Sequence, residues 1–158
     1  MTLVVRGGTL LPMDAGPREV RGDVLVQGRL IAGIGRVATP DGSEIIDATG
    51  CYVIPGLVQT HVHLVQTLFR GLAEDLALLE WLRTRVWPLE AAHDEASLRA
   101  SARAGILELL LTGTTTLLDM GTSHGGDVVA EEMARTGIRA IFGQAMMDSG
   151  DAVPDRLR

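Results

Sequence analysis

Lysine and asparagine are both absent from this sequence, and cysteine occurs once. Without asparagine there is no N-x-S/T acceptor, which excludes N-glycosylation. The lone Cys51 has no partner for an internal disulfide, which points to a reducing, cytoplasmic compartment. All the basic character is arginine, 14 residues against 20 acidic ones, for a net charge of −6. The missing lysine reads as codon bias of a GC-rich genome rather than as a thermostability device. Charges of both signs are interspersed without blocks, which excludes a nucleic-acid groove and a polybasic membrane patch. No apolar run approaches the ~20 residues that span a bilayer. The N-terminal MTLVVRGGTLLPMD also lacks the basic start and apolar core of a secretory signal. Internal repeats and low-complexity segments are missing too. A soluble, cytoplasmic protein with no nucleic-acid partner and no membrane is expected; a homo-oligomer is compatible with all of this.

What is present is enough hydrophobic material for a real core, 46% of 158 residues, distributed with two different periods. Residues 1 to 54 contain short runs rich in Val, Ile, Leu and Thr: TLVVRG, TLLPMD, DVLVQGRLIAGIG and EIIDATGCYVI. Turns are expected at Gly7-Gly8, Gly28-Arg29, Asp41-Gly42 and Gly50, giving a small antiparallel β unit that acts as scaffold.

From Pro55 the pattern changes. A buried-strand run, Val53 to Thr60, precedes His61 and His63. A helix is expected around Leu76 to Trp87 and a longer one from Asp94, a candidate N-cap, to Leu111, with Gly113 as its C′ residue. Leu98, Ala102, Gly105, Ile106, Leu109 and Leu110 fall on one face of the second helix. TTTLLDM (114–120) reads as a strand, Val128 to Arg135 as a helix closed by Gly137, and IRAIFGQAMM (138–147) as a third strand. Alternating strands and helices with short connections predict parallel βαβ units. In such folds chemistry collects at the C-terminal ends of the strands. The first βα connection carries HxH where a dinucleotide-binding sheet would carry G-x-G-x-x-G.

Residues i and i+2 of a strand point to one face, so His61 and His63 project side by side, within reach of one cation. Two neutral imidazoles completed by further ligands suit Zn²⁺ and related divalent metals. A metal with an open position brings the pKa of its water to about 7. The alternative is a pair of strand histidines satisfied by backbone or carboxylate partners, and the spacing alone leaves both readings open.

The stretch PGLVQTHVHLVQTLFRGLAEDLALLEWLRTRVWPLE (55–90) closely resembles the amidohydrolase superfamily. The similarity is to its branch of S-adenosylhomocysteine and methylthioadenosine deaminases, guanine-type deaminases and s-triazine hydrolases. It extends over nearly the whole chain, through the β-rich start, the T-H-x-H strand, the RG-x-A-x-D-x-x-L-x-x-W-L segment and GTTT-x-x-D-M. The resemblance implies an α/β fold: residues 1–54 as the N-terminal portion of a small β-sandwich domain, and residues 55–158 as the first three βα units of an incomplete (β/α)₈ TIM-type barrel. It implies one divalent metal, Zn²⁺ or alternatively Fe²⁺, with His61 and His63 matching the first two ligands. The remaining ligands and the acid/base residues belong to later strands, so no catalytic residue is expected in this portion. A barrel of this kind takes about 250 residues, and only about 104 run from Pro55 onward. The chain is therefore expected to be the N-terminal part of a longer protein or a truncated product, with the rest of the barrel as its missing partner.

For substrate, the resemblance implies that Gln66 bonds a heteroaromatic ring and that Glu90, in WPLE, accepts ribose hydroxyls. Arg156 matches the second of two arginines that hold an amino-acid carboxylate in S-adenosylhomocysteine deaminases. Gln144 stands where the first would be, and an amide cannot form the forked ion pair. A 5′-modified adenosine without a carboxylate, or a bare heterocycle, fits better. His124 is expected to be an exposed loop residue, His93 a surface or capping residue, and Cys51 buried and inert. Asp119 either orients the metal ligands or is structural; Phe69, Trp81 and Trp87 are expected to pack. The implied activity is hydrolytic deamination of a purine-like N-heterocycle, a C–N bond hydrolysis. Two alternatives are an s-triazine hydrolase releasing chloride or an amine, and a non-catalytic fragment that needs a partner chain.

Overall fold

A computed structural model describes residues 1–72, 75–147, 150 and 152–158. The chain divides into two compact units, Met1–Pro55 and Gly56–Arg158.

The first unit is a five-stranded sheet. Its strands are β1 (Thr2–Leu10), β2 (Val20–Gln27), β3 (Leu30–Gly35), β4 (Glu44–Asp47) and β5 (Tyr52–Val53), in the order β3-β2-β1-β4 with β5 also on β1. Gly28 (φ 63°) and Arg29 form the tight connection between β2 and β3. Gly7-Gly8, expected as a turn, lies inside a single strand. The β1–β2 register shifts between Val5 and Gly8, Gly7 sits at φ 75°, and its N–H donates to Asp23 Oδ1 at 2.8 Å. The pair is a bulge, for which glycine at positive φ is suited. The expected antiparallel unit is also corrected: β4 and β5 pair parallel to β1. Residues 36–43 carry the chain from β3 at one edge to the far side of β1, and so reverse the strand direction that a hairpin would give. Val4, Leu10 and Ala48 are buried in this unit, whereas Cys51, expected to be buried, is exposed.

The second unit holds a three-stranded parallel sheet, β6 (Leu57–Val62), β7 (Thr114–Asp119) and β8 (Arg139–Phe142), in the order β6-β7-β8. The expected run Val53 to Thr60 is split by Pro55, which has no N–H for a ladder. Val53 ends β5 and Leu57 begins β6. The third strand stops at Phe142 instead of continuing to Met147. Gly143 N–H donates to Asp119 O at 2.9 Å, after which the chain leaves the ladder.

Helix α3 (Glu95–Leu111) connects β6 to β7, and α4 (Gly126–Thr136) connects β7 to β8. Asp94 and Ser97 form a reciprocal cap: Ser97 N–H donates to Asp94 Oδ1 at 2.8 Å, and Asp94 N–H donates to Ser97 Oγ at 3.0 Å. Gly113, at φ 89°, supplies the left-handed exit after α3. Leu98, Ala102 and Ile106 join Leu64, Val65, Leu117, Val128, Val129 and Met133 in one core. Leu110, expected on that face, is 43% exposed. Gly105 is small for a reason: a Cβ there would stand 2.6 Å from Thr67 Oγ1 and 2.9 Å from Leu64 Cδ2. The close approach seats α3 on the 3₁₀ turn Leu64–Phe69, directly after the histidines.

The first predicted helix does not stop near Trp87. It runs as α1 (Leu78–Trp81), a π turn (Leu82–Val86) and α2 (Trp87–Ala92). Pro88 has no N–H to give and its ring collides with the preceding turn. The wider π turn, where Trp87 N–H reaches Leu82 O, lets the helix continue past it. Among the described residues no helix is long and apolar enough to cross a membrane.

Candidate metal and substrate site

The site is built where β6 ends. His61 lies in the strand and His63 is the first residue beyond it, at the N-cap of the 3₁₀ turn. Their ring centroids are 5.1 Å apart, edge to face. His63 Nδ1 is buried and, among the described residues, has no hydrogen-bond partner. A buried polar atom with no partner is costly, and a neutral imidazole nitrogen in that state suits a cation. The donor set therefore fits a borderline divalent metal. Among the described residues no group of three or more His, Cys, Asp or Glu side chains is placed to hold one, so these two imidazoles do not by themselves complete a coordination shell.

Asp119, fully buried at the end of β7, holds this segment in place. Its Oδ2 accepts from Leu64 N–H at 3.1 Å and its Oδ1 from Gly121 N–H at 2.6 Å. Burial raises its pKa above the usual carboxylate value, opposed by these two bonds and by His63. Met120 N–H donates to Val62 O at 2.9 Å, so β7 pins the residue between the two histidines as well.

A cleft of about 520 Å³ opens beside the pair, lined by His61, His63, Gln66, Phe69, Trp81 and Val86 among others. Gln66 Nε2 donates to Glu90 Oε1 at 2.8 Å, which joins two of the predicted substrate residues across 24 positions of sequence. Glu90 is itself buried in α2. Arg156 is exposed, and its Nη1 donates to Ala91 O, the carbonyl next to Glu90, at 3.1 Å. Gln144 Nε2 donates to Thr122 O at 2.6 Å. It lines a second cleft, about 480 Å³, with Ser123, Met146, Met147 and Leu157. Part of the QAMMDSGDAVPDRL segment, residues 148, 149 and 151, lies outside the described residues.

Two histidines differ from expectation. His93 is buried, not a surface residue; it stacks on Phe69 at 5.1 Å, with Nε2 2.9 Å from Val65 O and Nδ1 2.9 Å from Ser97 Oγ. His124 is part-buried, not an exposed loop side chain, and its Nε2 lies 2.7 Å from Glu90 O.

Residues 52–157 match the profile of the Amidohydrolase family. The chain belongs to the amidohydrolase family. This family is metal-dependent, and two of its features meet here, a mixed α/β fold and imidazoles at a parallel-strand end. A 5-methylthioadenosine/S-adenosylhomocysteine deaminase of Thermococcus kodakarensis is 41% identical over 156 residues, covering 99% of this chain and 36% of that protein. Among solved structures, the E. coli guanine deaminase superposes with a TM-score of 0.83 at 29% identity, covering 98% of this chain and 39% of that one. Atrazine chlorohydrolase of Arthrobacter aurescens TC1, complexed with zinc, gives 0.80 at 27% identity, covering 98% of this chain and 40% of that one. The chain spans about a third of the length of the curated amidohydrolase relatives it matches.

Proposed function

We propose that this chain is the N-terminal portion of a metal-dependent hydrolytic deaminase acting on an adenosine-like N-heterocycle. In this reading, residues 1–54 belong to a β-sandwich domain and 55–158 form the first three βα units of a barrel. The observation that carries it is the unpartnered His63 Nδ1 beside His61 at the C-terminal end of the first parallel strand, where barrels of this kind do their chemistry.

His61 and His63 would hold the metal, with Zn²⁺ the first candidate. When bound, a divalent cation there supplies the Lewis acidity that makes water nucleophilic near neutral pH. This chain's other residues bind and orient. Gln66 presents an amide to the substrate ring, and its bond to Glu90 Oε1 fixes the carboxylate that accepts ribose hydroxyls. Arg156 gives one donor to Ala91 O and retains others for substrate. Gln144, in a cleft that Met146, Met147, Leu157 and Arg158 also line, cannot form the forked ion pair that an arginine would give a carboxylate, which supports an uncharged 5′ substituent. The higher identity to the adenosine-type deaminase, 41% against 27% for the triazine enzyme, supports ammonia over chloride as the leaving group. Proton transfer falls to residues of the remaining barrel.

The test uses the full-length protein purified with its metal and assayed for products. Ammonia released from a 5′-modified adenosine, with no chloride from a chloro-s-triazine, is expected. Chloride without ammonia, or neither product across purine substrates, overturns the proposal.

A further inference from the structure

Side chains from the segments following all three parallel strands reach the last turn of α2. Gln66, after β6, bonds the Glu90 carboxylate; His124, after β7, bonds the Glu90 carbonyl; Arg156, after β8, bonds the Ala91 carbonyl. The first two of these bonds are the shorter, 2.8 and 2.7 Å, against 3.1 Å for the third.

Helix α2 is the last six residues of a helical run that a π turn interrupts, so contacts at its C-terminal end set where that end lies. The carbonyls of its last turn lack the regular N–H four residues on. Glu90 O receives the His93 N–H at 3.1 Å and, from across 34 residues of sequence, His124 Nε2. A carbonyl only accepts, so Nε2 of His124 carries the hydrogen. The backbone of Glu90 is thereby tied to the β7 loop while its carboxylate is tied to Gln66. Among the described residues, Glu90 Oε2 has no protein partner.

We propose that His124 is a positioning residue for substrate recognition: its bond to the Glu90 carbonyl fixes the backbone from which the Glu90 carboxylate meets the sugar hydroxyls. This inference rests on the assignment of Glu90 as the ribose contact. A carboxylate displaced by about an ångström loses most of a two-hydroxyl interaction, so the effect belongs in KM for substrates that carry both hydroxyls.

The test compares an adenosine-type substrate with its 2′,3′-dideoxy analogue in the metal-loaded full-length enzyme. His124→Phe keeps an aromatic ring and removes the donor. It is expected to raise KM for the ribonucleoside ~10-fold with kcat within ~2-fold, and to leave KM for the dideoxy analogue unchanged. His124→Gln, which restores an N–H donor, is expected to recover most of the ribonucleoside preference. General loosening of the fold would move both substrates together and leave their KM ratio where it was. A wild-type ratio in His124→Phe overturns the inference; if that variant is insoluble, the shorter donor of His124→Asn is measured against the same two outcomes. Glu90→Gln, run in parallel, separates the two levels. If it erases the ribonucleoside preference and His124→Phe does not, only the role of His124 falls. If Glu90→Gln leaves the preference intact, the ribose assignment itself falls, and this inference with it.

Discussion

His63 differs from His93 and His124 in one respect. His93 and His124 each have a hydrogen-bonded carbonyl, whereas a buried nitrogen of His63 has no partner among the described residues. That difference predicts the outcome of removing each ring. His63→Ala in the full-length protein is expected to weaken metal binding at least ~100-fold and to abolish hydrolysis, as read by metal content after dialysis and by turnover. Retention of a full metal equivalent would show that His63 is not a ligand. The pair was legible in sequence because a strand repeats every two residues, so HxH at a strand end states its own geometry. The roles of His93 and His124 were not legible. Their partners, Val65 and Glu90, lie 28 and 34 positions away, and nothing local distinguishes a buried imidazole from an exposed one. Cys51 was misread for a related reason: a short apolar run implies a strand but not which of its residues the sheet covers.

At the scale of elements, α3 and α4 are joined by a charge cluster as well as by the hydrophobic core. Glu132 on α4, 2% exposed, accepts from Arg103 at 2.7 and 3.0 Å and from Arg99 at 2.8 Å. The Arg103 and Arg99 bonds, Arg103 first, hold its pKa down at about 2, against an ordinary 4.5. Because the folded value is depressed, its contribution to stability is complete above about pH 4.5 and disappears as pH falls toward 2. Thermal unfolding of wild type and Glu132→Gln followed across that window should show a large gap at neutral pH that narrows steadily on acidification. A gap independent of pH would mean that packing, not charge, carries the effect. The helices themselves were readable, since apolar spacing, the Asp94 cap and the exit at Gly113 all agree. What failed to show were features set by distant chain. Gly7-Gly8 has the composition of a turn and becomes a bulge because β2 runs alongside without a break. Pro88 looks like a helix stop but is accommodated by a π turn. Strand direction in β4 and β5 has no local signature at all.

At the scale of the molecule, the order of elements carried the α/β class, and alternation of strand and helix was enough to predict a parallel sheet. How a parallel sheet is completed is a different matter. Among the described residues, β6 and β8 each have one free edge. Apolar side chains stand open on these strands, Val58 at 63% and Ile141 at 66%, and Leu111 at the end of α3 is 78% exposed. Unpaired edges and apolar surface of this kind recruit other chains. Residues 1–158 produced alone are therefore expected to self-associate, to bind a hydrophobic dye, and to show no hydrolysis, as measured by light scattering, fluorescence and product assay. Mixing with a separately produced remainder of the protein should reduce the scattering and restore metal-dependent turnover if the missing strands supply what these edges and these two imidazoles lack. A monodisperse 158-residue chain with full activity would reverse the argument, since two histidines would then have to complete a metal site without the later strands of the barrel.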